Sequence, residues 1–306
     1  IVPAADHSRI LPNKDFMRQQ TANVKELSVK DKDYTVEVEF PHTCSLAAAT
    51  NVACETGGVD VSTNVKSYSL SKSYMVKFDI DEIDWRSNDF DSAMLLAKAF
   101  LGADVKLVEQ INKSAIAALF AARGTNAYTG SKGTISGSDT NIVPAYWTSS
   151  LIPYFQHVAV HNKFSSPILI NGDNLYENFW ESNFNAGNAD GKGDAAKYNY
   201  MPMFWDIPTM DTESSAVVSY LVDRGAMFFA SRSKYPTAME TLTWGKRWTM
   251  PSQFLPGLTF DVLLEEACSS DFNKMSFKVM AHYDVLAAPT GCTATNTGVL
   301  RFVNTE

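Results

Sequence analysis

The stretch from Asp84 to Gly124, DWRSNDFDSAMLLAKAFLGADVKLVEQINKSAIAALFAARG, constrains this chain more than any other. Apolar residues recur at Phe90, Met94, Ala97, Leu101, Val105, Val108, Ile111, Ala115 and Leu119, steps of three and four that draw one stripe along an α-helix. Ser87 or Asn88 can cap its start, with Asp89 and Asp91 at the positive end of the helix dipole. Arg123 complements the negative end, and Gly124 can close the helix in a left-handed conformation. From Phe90 to Arg123 such a helix would run roughly 50 Å, far beyond the usual three or four turns. A helix of that length is a strut, and the other elements are expected to pack along it.

Upstream, residues 1–33 have no sustained period and read as an extended arm, which needs a partner to lie on. Tyr34 to Phe40 alternates Tyr34, Val36, Val38 and Phe40 against Thr35, Glu37 and Glu39, the period of a half-buried strand. Val65 to Ile80 alternates over a longer span but is thinly apolar, and a two-stranded ribbon built from it could not bury much of its own surface. Downstream of the helix, Thr125 to Asn141 reads as a Gly/Ser/Thr loop, and Leu151, Phe155 and Val158 mark a second helix with Pro153 in its first turn. SPILINGDNLYENFW reads as a buried strand (Ile168 to Ile170), a turn at Asn171-Gly172 and a short helix capped at Asp173 or Asn174. Val217 to Leu221 and Ala226 to Ala230 read as short strands around a turn at Asp223-Arg224-Gly225. The tail holds three more strands, the middle one alternating Phe277, Val279, Ala281 and Tyr283. The fold class is therefore α+β, and no repeat of solenoid period occurs.

Several function classes are disfavoured by composition. A formal charge of −8 and a pI near 5.2 argue against tight binding of nucleic acid through its phosphates, which leaves a basic footprint. No run approaches the ~18 apolar residues of a membrane span and the start lacks a signal-peptide layout, so a soluble protein with no membrane partner is expected. Cys44, Cys54, Cys268 and Cys292 allow three fully paired connectivities, with free thiols the default in a chain without an export signal. The first residue, Ile1, is compatible with trimming or with proteolytic removal of a preceding segment.

A search for chemistry returns no catalytic, cofactor-binding or metal-binding residue, and an enzyme is not expected. His157 and His161 stand at i, i+4, a spacing that can put two imidazoles on one metal, but HVAVH lacks the glutamate of a zincin motif and reads as a helix surface. Asp190 and Asp194 lie in a Gly-rich loop without the spaced acids of a calcium loop, and Lys132 among glycines does not form a phosphate-binding loop. Asp79, Asp81, Glu82, Asp84 and the pair Glu265-Glu266 could serve glycosidic chemistry only in a cleft at a defined separation. Their simpler reading is a solvated face that complements the helix dipole.

The order of these elements, with the acidic lead-in and long helix between GVDVSTNVKSYSLSKSYMVKFDI and SPILINGDNLYENFW, MPMFWDIPTM and YLVDRGAMFFA, resembles the major capsid proteins of tailed bacteriophages, the Hong Kong 97 fold family. That resemblance implies an N-terminal arm (1–33), an extended loop or β-ribbon (34–78), a peripheral domain (79–143 and 241–306) with a spine helix at about 90–123, and an axial domain (144–240). It implies a structural, self-assembling subunit of an icosahedral head shell around double-stranded DNA, arranged as pentamers and hexamers. Portal, scaffold and decoration proteins would be partners, contact with packaged DNA would be loose, and the place of action would be the virion, assembled in the host bacterial cytoplasm. Some members join subunits through a lysine-asparagine bond; Lys66, Lys72 and Lys77 are available, but nothing marks a partner asparagine. Gly102, mid-helix, is open to three readings: close packing, a break into two helices, or a point that lets the spine bend as the shell expands. Two other functions compete with the capsid reading: an encapsulin-like nanocompartment shell, and a hydrolase using the clustered carboxylates.

Overall fold

The computed structural model describes residues 35–42, 62–81, 92–128, 130–148, 150–173, 175–176, 201–205, 218–266, 274–287 and 297–305. The expected arm, the start signals of the long helix, all four cysteines and the Gly-rich loop at 185–200 lie outside them. Two sheets and one long helix organise what is described. The first sheet runs β10 (Glu240–Leu242), β11 (Gly245–Pro251), β12 (Thr259–Glu266), β13 (Lys274–Ala287), β3 (Lys72–Asp81), and β9 (Met227–Ser231) pairs with the C-terminal end of β13. The second runs β4 (Gly133–Ser136), β5 (Asp139–Ile142), β14 (Val299–Asn304), β8 (Val218–Val222), β6 (Ile168–Asn171), β7 (Met203–Trp205). A separate antiparallel pair, β1 (Thr35–His42) and β2 (Ser62–Ser69), joins neither.

Helix α1 (Ser92–Ala122) is unbroken for 31 residues, about 45 Å at 1.5 Å per residue. It packs on the face of the first sheet formed by Phe260, Val262, Phe277, Val279, Ala281 and Tyr283, all buried. That is the expected alternation of β13: a strand with one apolar and one polar face puts every second side chain into the core. The Tyr283 hydroxyl completes the contact, donating to the Gln110 carbonyl at 3.2 Å and lying 2.8 Å from Ser114 Oγ. The central strands of the second sheet, β6 and β8, are buried on both faces. Ile168, Ile170, Val218, Tyr220, Val222 and Val299 share the core of α1, whereas Leu169, Leu221, Leu300 and Phe302 pack under helix α2 (Leu151–His161) with Leu151, Phe155 and Val158. Pro153 falls in the first turn of α2, as expected.

Four expectations need correction. Val108, Ile111, Ala115 and Leu119 are buried and Leu101 and Val105 half-buried, but Met94 and Ala97 are exposed, and the inward stripe of the N-terminal half runs through half-buried Leu96 and Phe100 to buried Ala103 and Leu107. Here Met94, Leu95, Leu96, Ala97, Ala99, Phe100 and Leu101 are all apolar, so two stripes satisfy the spacing and contact with Ile80, Leu264, Phe277 and Trp248 selects between them. The span from Val65 to Ile80, read as a two-stranded ribbon, does form two strands that part at Leu70-Ser71, but they do not pair with each other: β2 pairs with β1 and β3 with β13. The expected loop at Thr125–Asn141 contains the β4–β5 hairpin, turned by Gly137 at φ +62° with Ser138 beside it, and β5 runs parallel to β14. Gly124 does not adopt positive φ; its N–H instead donates to the Val299 carbonyl at 2.8 Å, while Arg123 Nη1 donates to the Phe120 carbonyl and caps the helix end.

The turn at Asp223-Arg224-Gly225 is present, with Gly225 at φ +83° and the Ala226 N–H on the Asp223 carbonyl. The strands on its two sides nevertheless enter different sheets, because β8 pairs with β6 and β14 and β9 pairs with β13. Each sheet thus draws strands from both sides of residue 240.

Candidate assembly interface

The β1–β2 ribbon is the feature that a lone subunit explains least. Eight residue pairs, Thr35↔Ser69 to His42↔Ser62, hold it together, and no other described strand pairs with either edge. An isolated two-stranded ribbon is marginal in water, and its free edges offer N–H and C=O groups to another chain. Its root is built with care. At the break before β3, the buried Asp284 carboxylate on β13 accepts the Ser71 hydroxyl at 2.9 Å and the Ser71 N–H at 3.3 Å through Oδ2. Oδ1 accepts the Val285 N–H at 2.8 Å, and the Lys72 ammonium stands 3.8 Å away. The ribbon therefore leaves the body at a point fixed by a charged group on the longest strand.

Beside this root the outward face of the first sheet is largely polar: Lys77, Asp79, Glu265, Ser276 and Lys278 alternate with the core positions, with Met75, Leu263 and Met280 among them. Lys77 pairs with Asp79, Lys278 with Glu265, and Arg247 with Glu240, each between neighbouring positions of the sheet. Ser276 donates to Asp79 at 2.6 Å. Deeper in the same face, Ser73 Oγ lies 2.7 Å from His282 Nδ1, and His282 Nε2 lies 3.6 Å from Asp261 Oδ2. The order Ser, His, Asp is that of a hydrolytic relay, but 3.6 Å is too long for a hydrogen bond. The Asp261 carboxylate is occupied by the backbone N–H groups of Lys234 at 2.8 Å and Tyr235 at 3.1 Å. We read the group as a strap that holds residues 232–235 on the sheet. Burial, then the neighbouring Lys234 ammonium, push the His282 imidazole below its ordinary pKa and outweigh the opposing Asp261 carboxylate.

The residues singled out by spacing fall elsewhere. His157 and His161 lie side by side on the exposed face of α2, Nε2 to Nε2 3.0 Å, and among the described residues no group of three or more His, Cys, Asp or Glu could hold a metal. Lys132 donates to the Ser150 carbonyl and hydroxyl, tying a loop. Asp79 and Glu265 flank Ser276 across three strands of an open sheet, each beside its own lysine. Lys72 and Lys77 are ion-paired, and the Lys66 side chain lies outside the described residues. Asp190, Asp194, Glu82 and Asp84 also lie outside. What spacing did not reveal is the set of buried acids, Asp104, Asp261 and Asp284, whose partners are remote in the chain.

No family model matches the sequence, and no curated protein does. Solved structures do match. A chain of the cyanophage A-1(L) capsid asymmetric unit superposes with a TM-score of 0.59 at 12% identity, over 99% of this chain and 94% of that one. A chain of the cyanophage Pam1 capsid asymmetric unit gives 0.57 at 12% identity, over 97% and 92%. The capsid structure of cyanophage P-SCSP1u gives 0.51 at 9% identity, over 94% and 86%. This chain has the α+β fold of those phage capsid chains.

Proposed function

We propose that this chain is the major capsid protein of a tailed bacteriophage, a structural subunit that assembles with copies of itself into an icosahedral shell enclosing double-stranded DNA. The observation that carries this reading is the correspondence in fold with capsid chains over nearly all of this chain and of theirs. The β1–β2 ribbon, which joins neither sheet among the described residues, supports it. Laid across a neighbouring subunit, its edges would find pairing and contact beyond the one ladder that holds it together.

In this reading the ribbon is the extended loop, α1 the spine, and the first sheet the peripheral domain. The second sheet with α2 is the axial domain, and β9 and β14 stitch the two together. The interior contact with DNA is loose, in keeping with a net charge of −8. Portal, scaffold and decoration proteins are further partners, and the virion is the place of action after assembly in the host cytoplasm.

Size-exclusion chromatography with light scattering on the expressed chain tests self-assembly. Multimers of pentamer, hexamer or shell mass support it, and a monomer under every assembly condition overturns it. Particle contents then separate phage from nanocompartment: packaged DNA and a portal favour the first, a bound enzyme the second.

A further inference from the structure

The two histidines that sequence alone assigns to a plain helix surface are arranged more specifically than that assignment requires. His157 and His161 project from successive turns of α2, and their Nε2 atoms are 3.0 Å apart. Both rings rest on the same aromatic side chain. Tyr128 stacks on His161 with centroids 3.8 Å apart and planes 10° from parallel, and meets His157 at 4.9 Å. Tyr128 is itself anchored, since its N–H donates to Asn126 Oδ1. The Asn126 amide bonds Thr140, and Asn126 Oδ1 also accepts from the buried Asn162 at the end of α2. Two imidazoles are thus held in chosen rotamers, on a rigid element, by a platform tied into a buried polar network.

We propose that His157 and His161 bind one divalent transition-metal ion through their Nε2 atoms, with water completing the coordination. The geometry carries the argument. With metal–nitrogen bonds of about 2.0–2.1 Å, two nitrogens on one ion lie about 2.9 Å apart at a right angle and about 3.4 Å apart at the tetrahedral angle. The observed 3.0 Å falls in that interval, so the two nitrogens already stand at the separation that one ion would span. Without metal, one ring donates its Nε2 hydrogen to the other. Coordination needs both rings as Nδ1–H tautomers, so that hydrogen passes through water to Nδ1 of the same ring, with no net release. Imidazole ligands select Zn²⁺, Ni²⁺ or Cu²⁺ over Mg²⁺ and Ca²⁺, which take oxygen.

Calorimetric titration of the full chain with NiCl₂ and with CuCl₂ tests the proposal, with MgCl₂ as control and H157A, H161A and the double variant alongside. His7, His42 and His282 remain in every variant, so the difference isolates the pair. The wild type is expected to bind one equivalent more per chain than the double variant. Each single substitution is expected to weaken that site at least tenfold, and Mg²⁺ to show no such difference. Both side chains are exposed, and the conservative H157Q and H161Q variants give a second measure of the same loss. Identical isotherms for wild type and double variant would overturn the proposal and leave the rings as a hydrogen-bonded pair only.

Discussion

Asp104 shows how single residues hold this fold together. It sits on α1 with 1% of its surface exposed, accepts the Ser252 hydroxyl and the Gln253 N–H, each at 2.7 Å, and so ties the helix to the loop between β11 and β12. Ser252 Oγ in turn accepts the N–H groups of Phe254 and Leu255, which positions Leu255 and Leu258 in the core. Burial raises the Asp104 carboxyl above its usual pKa despite these donors. Asp104→Ala leaves a buried N–H without its acceptor and is expected to destabilise the subunit by about 1–3 kcal/mol, read from denaturant unfolding. Asp104→Asn keeps an acceptor and is expected to cost less. His282 makes a pH-dependent contribution of determinable sign. Its folded pKa lies below the unfolded 6.5, so the unfolded state binds more protons in the interval between the two. Its share of stability is present above pH 6.5 and is lost as pH falls through the folded value. Unfolding free energies measured across this range should rise with pH, and His282→Gln should flatten that slope.

At the scale of elements, two glycines have opposite meanings. A Cβ on Gly245 would lie 2.0 Å from the Leu264 carbonyl oxygen, so β11 reaches β12 only with glycine there. Gly102 is exposed on an unbroken helix and a Cβ would meet nothing within 4 Å, which sets aside both close packing and a helix break. Gly245→Ala is therefore expected to lower the thermal midpoint sharply. Gly102→Ala should stabilise the subunit by about 0.5–1 kcal/mol, since it removes only backbone freedom. If that freedom serves shell expansion, the same variant will also alter expansion. These elements were unequally legible in the sequence. The alternation of β13 could be read because its sheet has one apolar and one polar face. The N-terminal half of α1 could not, because apolar residues occupy nearly every side of it. The split between β2 and β3 depends on Asp284, 213 positions from Ser71, and no local pattern announces such a partner. The β4–β5 hairpin was legible in principle from Gly137-Ser138, the two-residue turn between Ser136 and Asp139. The paired histidines were visible as a spacing, but their platform, Tyr128, belongs to a loop outside the helix.

For the whole molecule, the order of elements was legible where individual residues were not. The arm, ribbon, strut and strand-rich tail pointed to the class of structure that the superpositions return, because order survives at identities near 12% at which local motifs do not. The same order makes sense of a subunit whose β1–β2 ribbon joins neither sheet among the described residues, while a buried carboxylate, Asp284, fixes where that ribbon emerges. Assembly is the central claim, and electron microscopy of the purified full-length chain under assembly conditions tests it most directly. Closed, icosahedral shells hundreds of ångströms across, with the ribbon of one subunit lying on its neighbour, are the predicted result. A field of dispersed monomers or small closed oligomers would contradict it.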